Sequence, residues 1–224
     1  MSNLPARGVV LALCTAILLV ACGGDPTAPP LGATFTKDQV KRFVLHKSDL
    51  PAGYHEVDAQ SGPVDCDSPW LANRGAYEET VEEARLRGEL LALEPQACTM
   101  STYEITMGEP PFDGRTGYGA MAIVFPDADS ASASLPMLRK SFVDTGDVAL
   151  GGMPLPEDLD NPGLGEESSG FRWGGVAPAG MTTSSVYIWR VRNVAVVLQG
   201  GGTPEADDDE IVQLARKLES HAGA

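Results

Sequence analysis

Two apolar runs, Val186 to Val191 and Val194 to Leu198, are separated by only Arg192-Asn193. Runs of β-branched and aromatic residues this short, joined this tightly, read as a β-hairpin, here spanning Ser185 to Gln199. Almost every position in it is apolar, so both faces must be covered and the hairpin belongs in the middle of a sheet. That requirement limits the whole chain to a sheet with layers packed on it. A two-residue I′ turn would need positive φ at Arg192, which a long side chain disfavours. A three-residue turn with only Asn193 left-handed suits the residues better. In that register Val186, Ile188, Val194, Val196 and Leu198 share one face, and Tyr187, Trp189, Ala195 and Val197 the other. The aromatic side then has two readings. It is core closed by another helix, or it is a cleft in which Tyr187 and Trp189, with Trp173, offer flat rings and polar edges to a ligand.

The remaining elements follow the same logic. Thr36 is an N-cap for a helix carrying Val40, Phe43 and Val44, which Pro51 and Gly53 end. A strand follows at Tyr54 to Val57. Leu71 to Leu93 reads as a long helix with Leu86, Leu90 and Leu93 inward, and a strand is expected over Thr102 to Met107. Tyr118 to Phe125 is a continuous apolar run, a strand covered on both faces. The segment after Pro126 is a helix with acids in its first turn, which Pro136 should start or kink. Thr203-Pro204 opens a last helix, with Glu205, Asp207, Asp208, Asp209 and Glu210 early and Arg216 and Lys217 late, as its dipole favours. The Gly/Pro-rich stretch from Gly146 to Gly165 reads as a surface loop, since the 59 residues after it are marginal for a separate core. Strands joined by hairpins, with helices between them, define an α+β class: one domain over 35–224, with a mainly antiparallel sheet and helices packed on it.

The N-terminus is of another kind. Gly8 to Ala21 is 14 residues without a charge, behind a weakly basic start. A spanning helix needs about 20 apolar residues and a signal core about 7–15, so 1–21 reads as a signal peptide. Leu19-Val20-Ala21-Cys22 resembles the lipobox of bacterial lipoproteins. The resemblance implies cleavage before Cys22 and a diacylglyceryl group on its sulfur, often with a third chain on the new amine. Two or three acyl chains suffice for lasting attachment, where one is marginal. Gly23 to Ala33, rich in proline and glycine, would then be an extended tether within a lipidated segment 22–34. The expected location is the outer side of the cell membrane, lipid-anchored.

Cys14 lies within the signal core, so the mature domain keeps Cys66 and Cys98. An exported chain matures in oxidising surroundings, and these two are expected to pair. The 32-residue loop they close is worth roughly 3–4 kcal/mol in the chain-entropy account. A metal site lacks ligands: His46, His55 and His221 are the only histidines, none at zinc-like spacing from a cysteine. Thirty-one acids against 16 bases give a net charge of −15, which opposes nucleic acid as a partner.

Motifs for catalysis are scarce. There is no G-x-S-x-G elbow, no H-E-x-x-H, no phosphate loop and no dinucleotide fingerprint. Gly200-Gly201-Gly202 lacks the Lys-Ser/Thr ending of a phosphate loop and reads as a strand-to-helix turn. Ser168 and Ser169 sit beside carboxylates with no histidine near in sequence. Asp158, Asp160 and Asn161 are a fragment of a calcium-loop pattern without its Gly and Glu in place. The acids of the last helix are explained by its dipole. No cofactor or metal is expected.

"SDLPAGY", "MAIVFPDADSASAS", "LGEESSGF" and "VYIWRVRNVAVVLQGGG" together resemble a pattern in envelope lipoproteins and extracellular sensor domains of high-GC Gram-positive bacteria. Among these is the sensor domain outside certain mycobacterial receptor kinases. The resemblance implies a binding or sensing module without catalysis; one cysteine pair replaces that sensor's two. Its partner would be a small envelope ligand or a protein. A surface-tethered hydrolase and a structural or chaperone-like component are the other two classes open to this chain.

If Cys22 carries the anchor, Cys22→Ser releases the protein from membranes or leaves the precursor uncleaved. Mass spectrometry of native protein showing an unmodified Cys22 overturns the assignment.

Overall fold

The computed structural model describes residues 33–67, 80–105, 115–149, 156–177, 180–202 and 205–223. The signal, lipobox and most of the tether lie outside them. A 3-10 helix at Lys37–Phe43 leads to short turns at Lys47–Asp49 and Asp58–Gln60, with strands β1 (Tyr54–Glu56) and β2 (Gly62–Val64). Then come α1 (Val81–Leu91), β3 (Ala97–Ile105), β4 (Arg115–Val124), α2 (Ala128–Ala149), β5 (Glu157–Leu159) and β6 (Glu167–Ala177). The chain closes with β7 (Gly180–Val191), β8 (Val194–Gly202) and α3 (Asp208–Ala222). Eight strands form one sheet in the order β1-β3-β4-β8-β7-β6-β5, with β2 also on β3. Its pairings are antiparallel. This is the expected α+β domain, with β7–β8 at its centre.

Both faces of the sheet are covered. On one, Tyr187, Trp189, Val191, Val194, Val196 and Leu198 pack with Phe43 of the 3-10 helix and with Ile211, Leu214 and Leu218 of α3. On the other, Val186, Ile188, Ala195 and Val197 pack with Leu90 of α1 and Ala131 and Leu138 of α2. β4 serves both layers: Ala120, Ala122 and Val124 face the first, Met121 and Ile123 the second. Its continuous apolar run is explained by that double cover.

The register of the central hairpin differs from the expected one. Val191 pairs with Val194, Trp189 with Val196 and Tyr187 with Leu198. The loop is therefore two residues long, and the aromatic side carries Val194, Val196 and Leu198 where Ala195 and Val197 were expected. Arg192 takes the positive φ, 56°, and Asn193 does not. The reason is the Asn193 side chain, which is buried and committed elsewhere. Its Oδ1 accepts the Phe35 N–H at 2.6 Å, and its Nδ2 donates to Phe35 O at 3.0 Å and Phe125 O at 2.7 Å. Its own carbonyl accepts the Phe125 N–H at 2.8 Å. Arg192 is compensated for its strained backbone: its N–H donates to Glu166 Oε2 at 2.8 Å, and its guanidinium lies 5.1 Å over the Phe35 ring. Three buried backbone groups depend on one side chain.

Element boundaries moved for local reasons. Of the helix expected from Leu71, positions 71–79 lie outside the described residues, and α1 starts at Val81. Thr80 is extended and makes a reciprocal cap: its hydroxyl accepts Glu83 N–H at 3.2 Å, while Glu83 Oε2 accepts Thr80 N–H at 2.7 Å. β3 begins at Ala97, earlier than expected, because Cys98 pairs with Val64 in the sheet. Cys66 and Cys98 are bonded, their Cα atoms 5.3 Å apart, and the bridge joins the chain on either side of α1. α2 runs through Pro136, which is exposed and so leaves the carbonyl it cannot bond near solvent. The acids of α3 include its cap: Asp207 accepts Glu210 N–H at 3.0 Å, and the helix starts after it. Thr203 and Pro204, the expected start, lie outside the described residues.

Asn193→Ala leaves the Phe35 and Phe125 backbone groups buried without partners. At roughly 1–3 kcal/mol for each such group, a loss of at least about 3 kcal/mol is expected in chemical denaturation. A loss under about 1 kcal/mol contradicts the stapling role.

Candidate functional site

The aromatic residues named from the sequence do not form one surface. Trp189 is fully buried and Tyr187 is 3% exposed; both are closed over by the 3-10 helix and α3. The cleft reading of that face is replaced by the covered-core reading. Trp173 lies on the opposite face, because β6 and β7 pair Arg172 with Ser185 and Trp173 with Ser184. There it stacks on Phe142 of α2 at 6.4 Å and sits 5.6 Å from Phe171. Arg139 lies 5.0 Å over the Phe171 ring and pairs with Asp158. This half-buried rim belongs to the α2 layer and is separate from Trp189. Cys22 lies outside the described residues.

Where the first face reaches the start of α3, apolar side chains give way to polar ones. β6 contributes Arg172, which alternates with Phe171 and Trp173 and so points to the α3 side. β7 contributes Ser185, directly across from Arg172, and Tyr187, across from Gly170. α3 contributes Asp208, whose Oδ2 accepts from Arg172 Nη2. The pair is about a quarter exposed, 28% and 25% for the two side chains. Arg172 Nε and Asp208 Oδ1 are nonetheless shielded from solvent and have no hydrogen-bond partner among the described residues, and neither has Ser185 Oγ. Ser185 is itself 0% exposed. Burial and the Asp208 carboxylate push the Tyr187 hydroxyl up to about 12, with Arg172 opposing them. The turn into α3 is held by Thr183, whose hydroxyl accepts the Ala206 N–H.

Glycines let α3 approach this closely. A Cβ on Gly200 would lie 2.6 Å from Ile211 Cγ1, and one on Gly202 2.2 Å from Glu205 O. Gly200-Gly201-Gly202 is thus the end of β8, under a helix, and not a free turn.

A second cluster joins the two termini of the domain. Asp49 is buried; its Oδ2 accepts the His46 N–H at 2.8 Å, and its Oδ1 lies 3.3 Å from His221 Nε2 at the end of α3. Lys217 Nζ donates to Asp49 O at 2.8 Å. In the acid-rich loop, Ser168 fixes the backbone: its Oγ donates to Asn161 Oδ1 at 2.5 Å and accepts the Leu164 N–H at 3.1 Å. Beside it, the Ser132 hydroxyl and then Arg190 hold the Glu167 carboxyl below its ordinary range. Asp158 is engaged with Arg139, and among the described residues no group of three or more His, Cys, Asp or Glu is placed to hold a metal ion. Nor is any helix among them long and apolar enough to cross a membrane.

Sequence reasoning passed over Arg172, Ser185 and, as part of a site, Asp208. The signal available was a lone arginine between two aromatic residues of a strand, and a serine opening an otherwise apolar run.

The fold and the site define an antiparallel α+β domain with a partly buried polar cluster at one end of its central hairpin. No family model matches the chain, and no curated protein matches it. Among solved structures, it is similar to the extracellular domain of PknH from Mycobacterium tuberculosis, with a TM-score of 0.51 and 12% identity. That likeness covers 85% of this chain and 98% of the other. An uncharacterised protein of Mycobacterium smegmatis aligns over 83% and 96% of the two chains at 11% identity and a TM-score of 0.45. The PknH domain and this chain share a fold.

The Tyr187 hydroxyl stays protonated in the folded state to about pH 12, whereas an unfolded tyrosine ionises near 10. Stability from this group is therefore complete below about pH 10 and lost as the pH rises toward 12. Tyr187→Phe should show a shallower fall over that window in urea titrations than the parent protein. Equal slopes contradict the environment assigned to Tyr187.

Proposed function

We propose that the chain is a cell-envelope lipoprotein, acylated at Cys22, whose domain binds a ligand outside the membrane and has no catalysis of its own. The observation that carries this reading is the likeness in fold to the extracellular domain of PknH, over 85% of the chain. The lipobox supports the anchor, and the Cys66–Cys98 bridge suits an oxidising compartment. The site chemistry gives hydrolysis no support at Ser168, whose hydroxyl donates its proton to Asn161 Oδ1 and not to a histidine.

The anchor would be tied to one end of the domain. The chain enters at Ala33 to Phe35, fastened to the β7–β8 turn by Asn193 and by Arg192 Nη1, which donates to Ala33 O at 3.3 Å. Eleven residues from Gly23 to Ala33 span at most about 40 Å. The tether would therefore join the domain at the turn end of the hairpin. The start of α3 lies at the other end of the hairpin: the six steps from Val191 to Ser185 span about 20 Å along β7.

Native mass spectrometry of the protein purified from its own host tests the reading. A co-purifying small molecule or protein, lost on denaturation, is the expected result. Covalent labelling by a fluorophosphonate probe, with turnover of an ester substrate, would establish the hydrolase instead.

A further inference from the structure

Most of the sheet's margin is guarded against pairing with another chain, and one stretch is not. At one edge β1 carries exposed His55 and Glu56, and β2 carries exposed Pro63. At the other, β5 carries exposed Glu157 and Asp158. Charges, prolines and very short strands are what keep an edge from acting as a template. β5, however, covers only Gly170 to Arg172 of the longer β6. β8 ends at Gly202, across from Thr183, so beyond that point β6 and β7 pair only with each other among the described residues. This ribbon lies within Trp173 to Ser185, a stretch without a charged residue in a chain of net charge −15.

The register fixes which of its backbone groups point outward. Ala177–Gly180 and Val191–Val194 each close a two-residue loop and are therefore hydrogen-bonded pairs. By alternation, odd positions of β6 direct N–H and C=O at β7, and even positions direct them at the outer edge. Gly170 and Arg172 meet Leu159 and Glu157 of β5 there. Gly174 and Val176 are the next two, and no strand of the described residues pairs with them on that side. The surroundings select the occupant. Glu157 ends β5 in line with the open stretch. The first turn of α3, with Asp207 and Asp209 exposed, reaches Arg172, two residues from Gly174. A second copy of this chain would set these acids against their own duplicates, whereas a strand bearing Lys or Arg meets opposite charge.

We propose that the outer edge of β6 at Gly174 and Val176 takes an extended, basic segment of a partner protein as an added strand. Backbone pairing supplies the attachment, and the flanking acids supply the preference for a basic partner. The inference rests on the binding-module reading and names the chemistry of its partner.

The test is amide NMR with hydrogen exchange on the purified protein, using the peptide Lys-Thr-Val-Thr-Val-Thr-Lys, its Glu-ended counterpart and a fully N-methylated version. In the free protein the Gly174 and Val176 amides should exchange as exposed amides do, and sedimentation should give a monomer. The basic peptide should shift both amides saturably and slow their exchange, less so at high salt; the other two peptides should do neither. Gly174→Pro removes one outward N–H and no bond to β7, and Trp173 before it is already extended. It should abolish binding, with circular dichroism confirming the fold. Glu157→Lys, at an exposed side chain, should weaken binding threefold or more. The proposal is overturned if both amides are protected in the free monomer, which means the chain covers its own edge, or if they are protected in a dimer. It is overturned equally if the basic peptide does not bind, if the acidic or methylated peptide binds as well, or if both variants bind as the parent does. A ligand co-purified from the host that Gly174→Pro retains would leave the binding module standing and remove only this edge.

Discussion

The side chain of Asn193 joins three parts of the chain that are far apart in sequence: the entry segment at Phe35, the end of β4 at Phe125 and the β7–β8 turn. Its amide makes three hydrogen bonds, each to a buried backbone group. A buried backbone N–H or C=O without a partner is costly enough that such a staple dictates geometry around it. Here it dictates the turn. Asn193 keeps ordinary φ to place its amide, so Arg192 takes the left-handed position, and the loop closes in two residues. The register of β7 on β8 follows, and with it the face on which every residue of the central hairpin lies.

From that register the two layers follow. Tyr187, Trp189, Val191, Val194, Val196 and Leu198 make one broad apolar surface, too large for α3 alone, and the 3-10 helix behind Phe35 completes the cover. The entry segment is held by Asn193 and seats Phe35 edge-on against Phe43 at 4.8 Å. The second face is smaller in side-chain volume, with Ala195, Val186 and Val197, and α2 lies on it along with Phe171. Asp49 closes the first layer at its far edge by holding His46 and Lys217 together, so the N-terminal segment and the C-terminal helix are locked to one another as well as to the sheet.

Much of this was legible in the sequence. The hairpin, the doubly covered strand at Tyr118 to Phe125, the inward leucines at 86 and 90, and the α+β class all come from periodicity and turn chemistry, which are local. The register was not legible, because intrinsic preference puts the left-handed residue at Asn193, and only a contact 158 residues away in sequence reverses it. The site was hidden for a related reason. Trp173 is grouped with Trp189 from the sequence, but the face it takes depends on the register between two strands. In the paired strands, odd positions of β6 lie with even positions of β7. The arginine between two aromatics was the real marker, and its meaning depends on Asp208, 36 residues on. Acids at a helix start are usual, and nothing local distinguishes the one that reaches across to a strand.

The two ends of the hairpin differ in their chemistry. At the turn end the Asn193 amide is bonded to the Phe35 and Phe125 backbone, and Val191, Val194 and Val196 are buried. At the open end, Thr183, Ser185, Gly200 and Gly202 replace the alternating Val, Ile and Leu, and the sheet can no longer be sealed by apolar side chains. α3 compensates only in part. It comes close enough for Ile211 to lie against Gly200, but its first turn brings carboxylates rather than methyl groups. One of these pairs with Arg172, and Arg172 Nε, Asp208 Oδ1 and the Ser185 hydroxyl are left buried without partners among the described residues. A domain selected for stability alone would replace that trio with apolar residues of similar volume, since an ion pair buried to this degree seldom outweighs a hydrophobic substitute. Its cost is therefore one that the apolar packing on both faces of the hairpin has to offset.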